Sequence, residues 1–469
     1  MYQKRISKTQ GSVLVDQVTI SYSAISEDFL LTDLYDNPET TTSTFSYIRS
    51  DNGAGKNRPI VFAYNGGPNA ASFPLHMGGM APRRLKMGDI TKLPTTPPYE
   101  MENNHASIID VCDIVLYDPP GTGYNYFFHD QAPQKYYSCD ADADALIETI
   151  KQWLTEHNRW NSPIYLMGES YGSIRTALAA HRLMYGCGAD RTQYSLIQPS
   201  GLIMLGACLS TAETSSYLLK EVVHFMPIAA THWYHRLQNS EISLEKFTED
   251  AYLFSMNEYL PALALGNMIP DDQKRKVAER IHYFSGVPVA VVMERDLRID
   301  PYWYAANGLA DMGLSTGIYD SRFTAPQMGQ LCFEDFFNSD PSNYAPLPAV
   351  TRAFLNYAQN ELNIQASHSY MPLNGNAEKL WNNNSELEPG IALKKAMMVN
   401  PALKVLFISG YFDMLTTMSS VRYVASRYNL PKDRVAYGNV RSGHTAMLGE
   451  ENSDLVCNMI RQFIIGDND

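Results

Sequence analysis

The sequence predicts an α/β protein built on a central, mostly parallel sheet, with antiparallel strands at its N-terminus and a mainly helical segment inserted late in the chain. Three observations carry that expectation. Short continuous apolar runs end in polar or Gly/Pro-rich residues, as strands buried on both faces do. An amphipathic helical stretch separates two of those runs, the order of a parallel crossover. The alternation then breaks between about 213 and 385 and returns afterwards.

Taken in order, residues 1–57 mix alternating stretches (Ser12 to Tyr22, Thr41 to Arg49) with turn residues, which reads as antiparallel strands. Pro59 to Tyr64 is the first apolar run and ends in Asn65-Gly-Gly-Pro68. Cys112 to Tyr117 is the second and ends in Asp118-Pro-Pro-Gly-Thr-Gly123. Asp140 to His157 follows as a helix, with Ala143, Leu146, Ile147, Ile150 and Leu154 at helical spacing. Its early carboxylates, Asp140, Asp142 and Asp144, suit the positive end of the helix dipole. Ser162 to Met167 is the third run and leads into a helix from Ile174 to Met184, and Leu202 to Leu209 is the next strand. Helical segments such as Tyr217 to Phe225 and Asp271 to Tyr283, with many aromatics and no convincing strand, then mark a cap. Strands return at Leu403 to Ser409 and Arg434 to Val440, before a closing helix from Asp454 to Ile465. The division is therefore 1–212 and 386–469 as two parts of one domain, with 213–385 inserted.

With 469 residues, 45% of them hydrophobic, the chain has ample apolar surface for a packed core. Its 37 Lys and Arg stand against 50 Asp and Glu, a net charge of −13 that disfavours nucleic acid and anionic membranes as partners. The expected partner is a peptide or small acyl substrate, and a homodimer is left open. No apolar stretch follows the basic N-terminus, and no run is long enough to span a bilayer. The six cysteines include no Cys-x-x-Cys pair and read as isolated thiols. Together these features favour a cytoplasmic address, or a secreted or periplasmic one if a leader has been removed.

Chemistry concentrates at Gly168-Glu-Ser-Tyr-Gly172, which fits the Gly-x-Ser-x-Gly elbow that exposes a serine on a tight strand-to-helix turn. Gly313-Leu-Ser-Thr-Gly317 fits the same pattern, but no strand precedes Ser315 and no helix follows it, so it reads as a turn. A serine nucleophile needs a base, and the base needs an orienting acid. Asp413 lies just beyond the strand 403–409 and His444 just beyond 434–440, giving the chain order Ser170, Asp413, His444. Other histidines precede the serine, lie inside the following helix or belong to the cap. The backbone N–H of Tyr171, with one from the Asn65–Pro68 loop, would face developing negative charge. His232 and His235 have metal-like spacing but no partner motif, so no metal or cofactor is expected.

These motifs resemble the serine carboxypeptidase family of α/β hydrolases. Its ordered signature stands here as Asn65-Gly-Gly-Pro-Asn69, Asp118-Pro-Pro-Gly-Thr-Gly123, Gly168-Glu-Ser-Tyr171, Asp413 and Gly443-His444. Leu75-His-Met-Gly-Gly-Met-Ala-Pro-Arg-Arg84 is similar to a stretch shared by bacterial members. The resemblance implies an α/β-hydrolase fold, a Ser170–Asp413–His444 triad and an oxyanion hole from the N–H groups of Gly67 and Tyr171. It also implies that Asn65 and Glu169, assisted by the N–H of Gly66, hold a peptide's terminal carboxylate. Three departures matter. Gly79 stands where the family carries a second glutamate, Asn69 replaces a glycine, and Ala70 and Ala71 replace the cysteine and serine that follow it, so the family's disulfide from that loop is absent. Arg83 or Arg84 is a candidate to take over carboxylate recognition, since a guanidinium pairs with a carboxylate bidentately; the other reading makes one of them structural and the other solvated. Release of C-terminal residues through an acyl-enzyme is the leading activity. An esterase or acyltransferase with the same triad, or a catalytically silent binding scaffold, are the alternatives.

Overall fold

A computed structural model describes residues 2–186, 194–209, 218–327 and 340–466. Cys187, Cys332 and the first residue of the expected helix at 217–225 lie outside them. Nine strands form one sheet: β1 (Ile6–Val15), β2 (Val18–Thr32), β3 (Pro38–Arg49), β4 (Ile60–Tyr64), β5 (Asp113–Asp118), β6 (Ile164–Glu169), β7 (Gly201–Leu205), β8 (Lys404–Gly410) and β9 (Val435–Val440). Their spatial order is β1-β2-β3-β5-β4-β6-β7-β8-β9. β1, β2 and β3 run antiparallel to their neighbours, and every pairing from β5 to β9 is parallel.

The mixed sheet follows from the sequence texture. In β4, Ile60, Phe62 and Tyr64 face one layer while Val61 and Ala63 face the other. A strand covered on both sides has no reason to alternate polar with apolar. The expected strand at Ser12–Tyr22 straddles a hairpin instead. Asp16 and Gln17 both take positive φ (44° and 65°), the type I′ turn whose twist matches the strands it joins.

Helices Cys139–Glu156, Tyr171–Tyr185 and Pro389–Val399 cover one sheet face, and Pro346–Asn360 and Glu450–Ile465 cover the other. Residues 213–385 are not of one piece. Helices Phe225–His232, Leu244–Phe254 and Asp271–Ser285 gather a separate core around Phe225, Phe247, Phe254 and Phe284. Helix Pro346–Asn360 instead turns Ala349, Val350, Ala353, Phe354 and Tyr357 into the core beneath the sheet. Its apolar stripe finds Phe45 and Tyr47 of β3 rather than the cap. A short ribbon also occurs where no strand was expected: Leu314–Thr316 pairs with Thr324–Pro326, and Ser315 lies within it rather than in a turn.

Among the described residues no helix is long and apolar enough to cross a membrane. Cys112, Cys139, Cys208 and Cys457 are free thiols.

Candidate active site

The parallel strands deliver their C-terminal ends to one rim. β6 ends at Glu169, and Ser170 takes φ 59°, ψ −127° before helix Tyr171–Tyr185 begins. That left-handed conformation is costly for a side-chain-bearing residue and needs cramped surroundings to hold it. A Cβ at Gly168 would lie 2.1 Å from the Gly172 carbonyl oxygen, so the elbow closes only with glycine there. The Ser170 N–H donates to the Leu205 carbonyl of β7 at 2.9 Å, which pins the turn to the sheet.

Asp413 and His444 come together because the loops after β8 and β9 touch. A Cβ at Gly410 would stand 2.2 Å from the Gly443 oxygen, so glycine permits that approach. His444 Nδ1 lies 3.0 Å from Asp413 Oδ2. The carboxylate is fully buried and accepts from the N–H groups of Leu415 (2.7 Å) and Thr416 (3.1 Å) and from the Thr416 hydroxyl (2.5 Å). Burial alone would raise the Asp413 pKa, but the charge and hydrogen bond of His444 and the Thr416 donors hold it below the ordinary carboxylate value. Burial would likewise depress His444. Asp413, by charge and hydrogen bond, and then Glu169 outweigh it, leaving the imidazole above the ordinary histidine value.

Ser170 and His444 line one cavity of about 240 Å³ together with Asn65, Gly67, Glu169 and Tyr319. Gly66 lies against the elbow, since a Cβ there would be 2.5 Å from the Tyr171 nitrogen. The loop carrying Gly67 is thus held beside the start of the helix. Asn65 Nδ2 donates to Glu169 Oε1 at 2.5 Å, and both residues are buried. The other carboxyl oxygen of Glu169, Oε2, is buried without a hydrogen-bond partner. Burial dominates its pKa; the His444 charge lowers it, Asp413 raises it and Asn65 lowers it, for a net rise to about 7.

Two buried groups hold this loop, one of them, Arg175, not singled out by the sequence. Arg175, 0% exposed, donates to Asp142 at 2.7 Å and to the Asn65 carbonyl at 2.8 Å. Asp118, from the Asp-Pro-Pro-Gly-Thr-Gly motif, accepts from the Ser72 N–H at 2.6 Å and the Tyr370 hydroxyl at 3.0 Å. Thr416 and Tyr319 were missed as well. Only folding brings them to His444, and no local signal marks them.

The arginine expectation fails. Arg83 is held bidentately by Glu361 at 2.8 and 2.7 Å. Arg84, 1% exposed, is ringed by Glu102 (2.8 Å), Asp454 (2.8 Å) and Glu450 (3.3 Å). Neither lines the cavity that holds Ser170, because carboxylates distant in sequence satisfy both. Gly79 also points elsewhere. Its φ is 139°, and a Cβ would stand 1.7 Å from Ser453 Oγ, so no longer side chain fits. His232 and His235 bond to separate carbonyls, of Phe284 and Ser321.

The serine carboxypeptidase family profile matches residues 32–460. No protein of curated function matches in sequence. The structure is similar to that of the Kex1 prohormone-processing carboxypeptidase from Saccharomyces cerevisiae, with 11% identity, 95% of this chain and 92% of that one covered, and a TM-score of 0.55. A putative aryl esterase from Burkholderia cenocepacia aligns at 11% identity over 94% of this chain and 98% of that one, with a TM-score of 0.41. A proline iminopeptidase from Mycobacterium smegmatis aligns at 12% identity over 98% of each chain, with a TM-score of 0.37. The fold is that of the α/β hydrolases, and the chain belongs to the serine carboxypeptidase family.

Proposed function

We propose that Ser170, Asp413 and His444 are the triad of this serine carboxypeptidase and release C-terminal residues from peptides. Ser170 Oγ attacks the scissile carbonyl and His444 Nε2 takes its proton. Asp413 holds the Nδ1–H tautomer and stabilises the imidazolium. The N–H groups of Gly67 and Tyr171 receive the oxyanion. His444 then protonates the departing amine, and water resolves the acyl-enzyme with the same base.

The observation that carries the exopeptidase reading is the Asn65–Glu169 pair beside the nucleophile. An ionised carboxylate would repel a peptide's C-terminus, but a carboxyl with a pKa near 7 can keep a proton and donate it. Glu169 Oε2 has no partner of its own to satisfy. Asn65 supplies a neutral donor beside it, and the N–H of Gly66 a third.

N-blocked dipeptides with a free C-terminus, compared with their C-terminal amides, test the reading, with Ser170→Ala as control. The free acids should be preferred in kcat/KM by about tenfold or more, the worth of one charge-assisted hydrogen bond. Equal rates would move the assignment to an esterase or acyltransferase.

A further inference from the structure

One short strap of the inserted segment, residues Ile318–Ser321, is hydrogen-bonded directly to the catalytic loops. Its main chain is bonded on both sides of the acid and to the base. The Met414 N–H donates to the Ile318 carbonyl and the Ser321 N–H to the Phe412 carbonyl, each at 3.0 Å. The His444 N–H donates to the Tyr319 carbonyl at 2.6 Å. The Tyr319 ring stands edge-on to the His444 imidazole, 5.3 Å between centroids at 76°. Glycine again permits the contact: a Cβ at Gly443 would lie 2.3 Å from the Tyr319 oxygen and 2.4 Å from Asp320 Cβ.

The strap is held in turn by one buried carboxylate. Asp340 is 1% exposed. Its Oδ2 accepts from the N–H groups of Ile318 (2.7 Å) and Tyr319 (3.3 Å), and its Oδ1 accepts from the Ser342 N–H (2.9 Å) and hydroxyl (2.5 Å). Gly317 leaves the room this needs, since a Cβ there would be 2.7 Å from Asp340 Oδ1 and 2.7 Å from the Asp320 carbonyl. Hydrogen bonds to an ionised acceptor are about twice as strong as neutral ones, so the carboxylate fixes the strap more firmly than an amide could.

We infer that Asp340 is a positioning residue for the reaction: by clamping Ile318 and Tyr319 it sets where His444 stands relative to Asp413 and Ser170. Asp340 touches neither substrate nor the reacting atoms. It acts through two residues, Ile318 and Tyr319, whose N–H groups it holds and whose carbonyls accept from the turn of the acid and from the base. A displacement of about 1 Å in a catalytic group costs on the order of a hundredfold in rate.

The inference rests on the triad reading, so Ser170→Ala is run beside it and tests that reading alone. Asp340→Asn preserves size but puts an NH2 where an acceptor stood, facing either the strap or Ser342. With active sites titrated by a fluorophosphonate, kcat should fall about tenfold or more while KM stays within about threefold. The acid limb of the kcat/KM profile should also move to lower pH, because His444 loses part of the Asp413 interaction that raises it. A merely structural role would lower thermal stability and leave kcat and the pH limb in place; that result, or a loss confined to KM, overturns the inference. If Asp340→Asn does not fold, Gly317→Ala, which displaces the clamp without removing charge, is judged by the same two readouts.

Discussion

Asn65 donates from Nδ2 to Oε1 of Glu169 at 2.5 Å, tying the loop after β4 to the last residue of β6. The amide has little freedom to do otherwise. Its Oδ1 accepts from the Leu75 N–H at 3.1 Å, and Arg175 holds the residue's own carbonyl. A neutral donor and a protonatable acid are thereby presented at fixed spacing beside Ser170.

That pairing predicts a bell-shaped kcat/KM profile for free-acid peptides. Activity should rise as His444, raised from the ordinary histidine value, loses its proton, and fall as Glu169 ionises through about 7. Esters and amides without a carboxylate should lack the falling limb. Glu169→Gln, which cannot ionise, should lose it too; a bell that survives in that variant would remove Glu169 from the explanation.

Asp413→Asn should lower kcat by about 10⁴ while leaving KM within a few-fold, since the amide no longer enforces the Nδ1–H tautomer of His444. Burst kinetics with an activated ester would check this, with near-normal turnover counting against the assignment.

Arg83→Ala should leave KM for free-acid peptides unchanged and cost at most about 1 kcal/mol, since Glu361 is its partly exposed partner. Arg84→Ala leaves three carboxylates clustered around an empty buried site, and the cost should be about 3 kcal/mol of stability, at the low end for buried pairs because its partners are partly exposed. Urea unfolding and Michaelis–Menten curves on the same samples separate the two effects. A tenfold rise in KM would return either arginine to the substrate.

His76 predicts acid sensitivity of the fold. Burial depresses its pKa to about 3, so the folded protein keeps it neutral while the unfolded chain protonates it near 6.5. Its contribution is fully present above 6.5 and is lost as pH falls toward 3. Between pH 7 and 4.5 wild-type protein should lose about 2.5 kcal/mol more than His76→Gln. Parallel urea midpoints at the two pH values would show it, and equal losses would contradict it.

The elbow was legible because its constraint is local: a left-handed serine flanked by glycines leaves its mark within five residues. Asp413 and His444 were legible because strand ends place them, and their loops carry recognisable glycines. The β1–β2 turn was not, because Asp16-Gln17 lacks the glycine or asparagine that usually signals positive φ. Helix Pro346–Asn360 has a cap helix's amphipathic pattern, and only the completed sheet shows which apolar surface it covers. Arg83 and Arg84 were misread for a related reason. A pair of cations in an acidic chain stands out in one dimension, while Glu361, Glu450 and Asp454 arrive beside them only in three. Asp340 lies 104 positions from the histidine it serves, and no motif joins them.

Phe412 and Met414, the neighbours of Asp413 on either side, are buried in the aromatic core that the cap helices build. The acid is thus mounted on a turn whose two walls belong to the inserted segment. Exchanging that segment for a relative's, to alter substrate choice, would put the acid's footing at risk along with the old specificity. A transplant that keeps the rate would have to carry residues 318–321 and 412–414 as one unit, cut from the same parent.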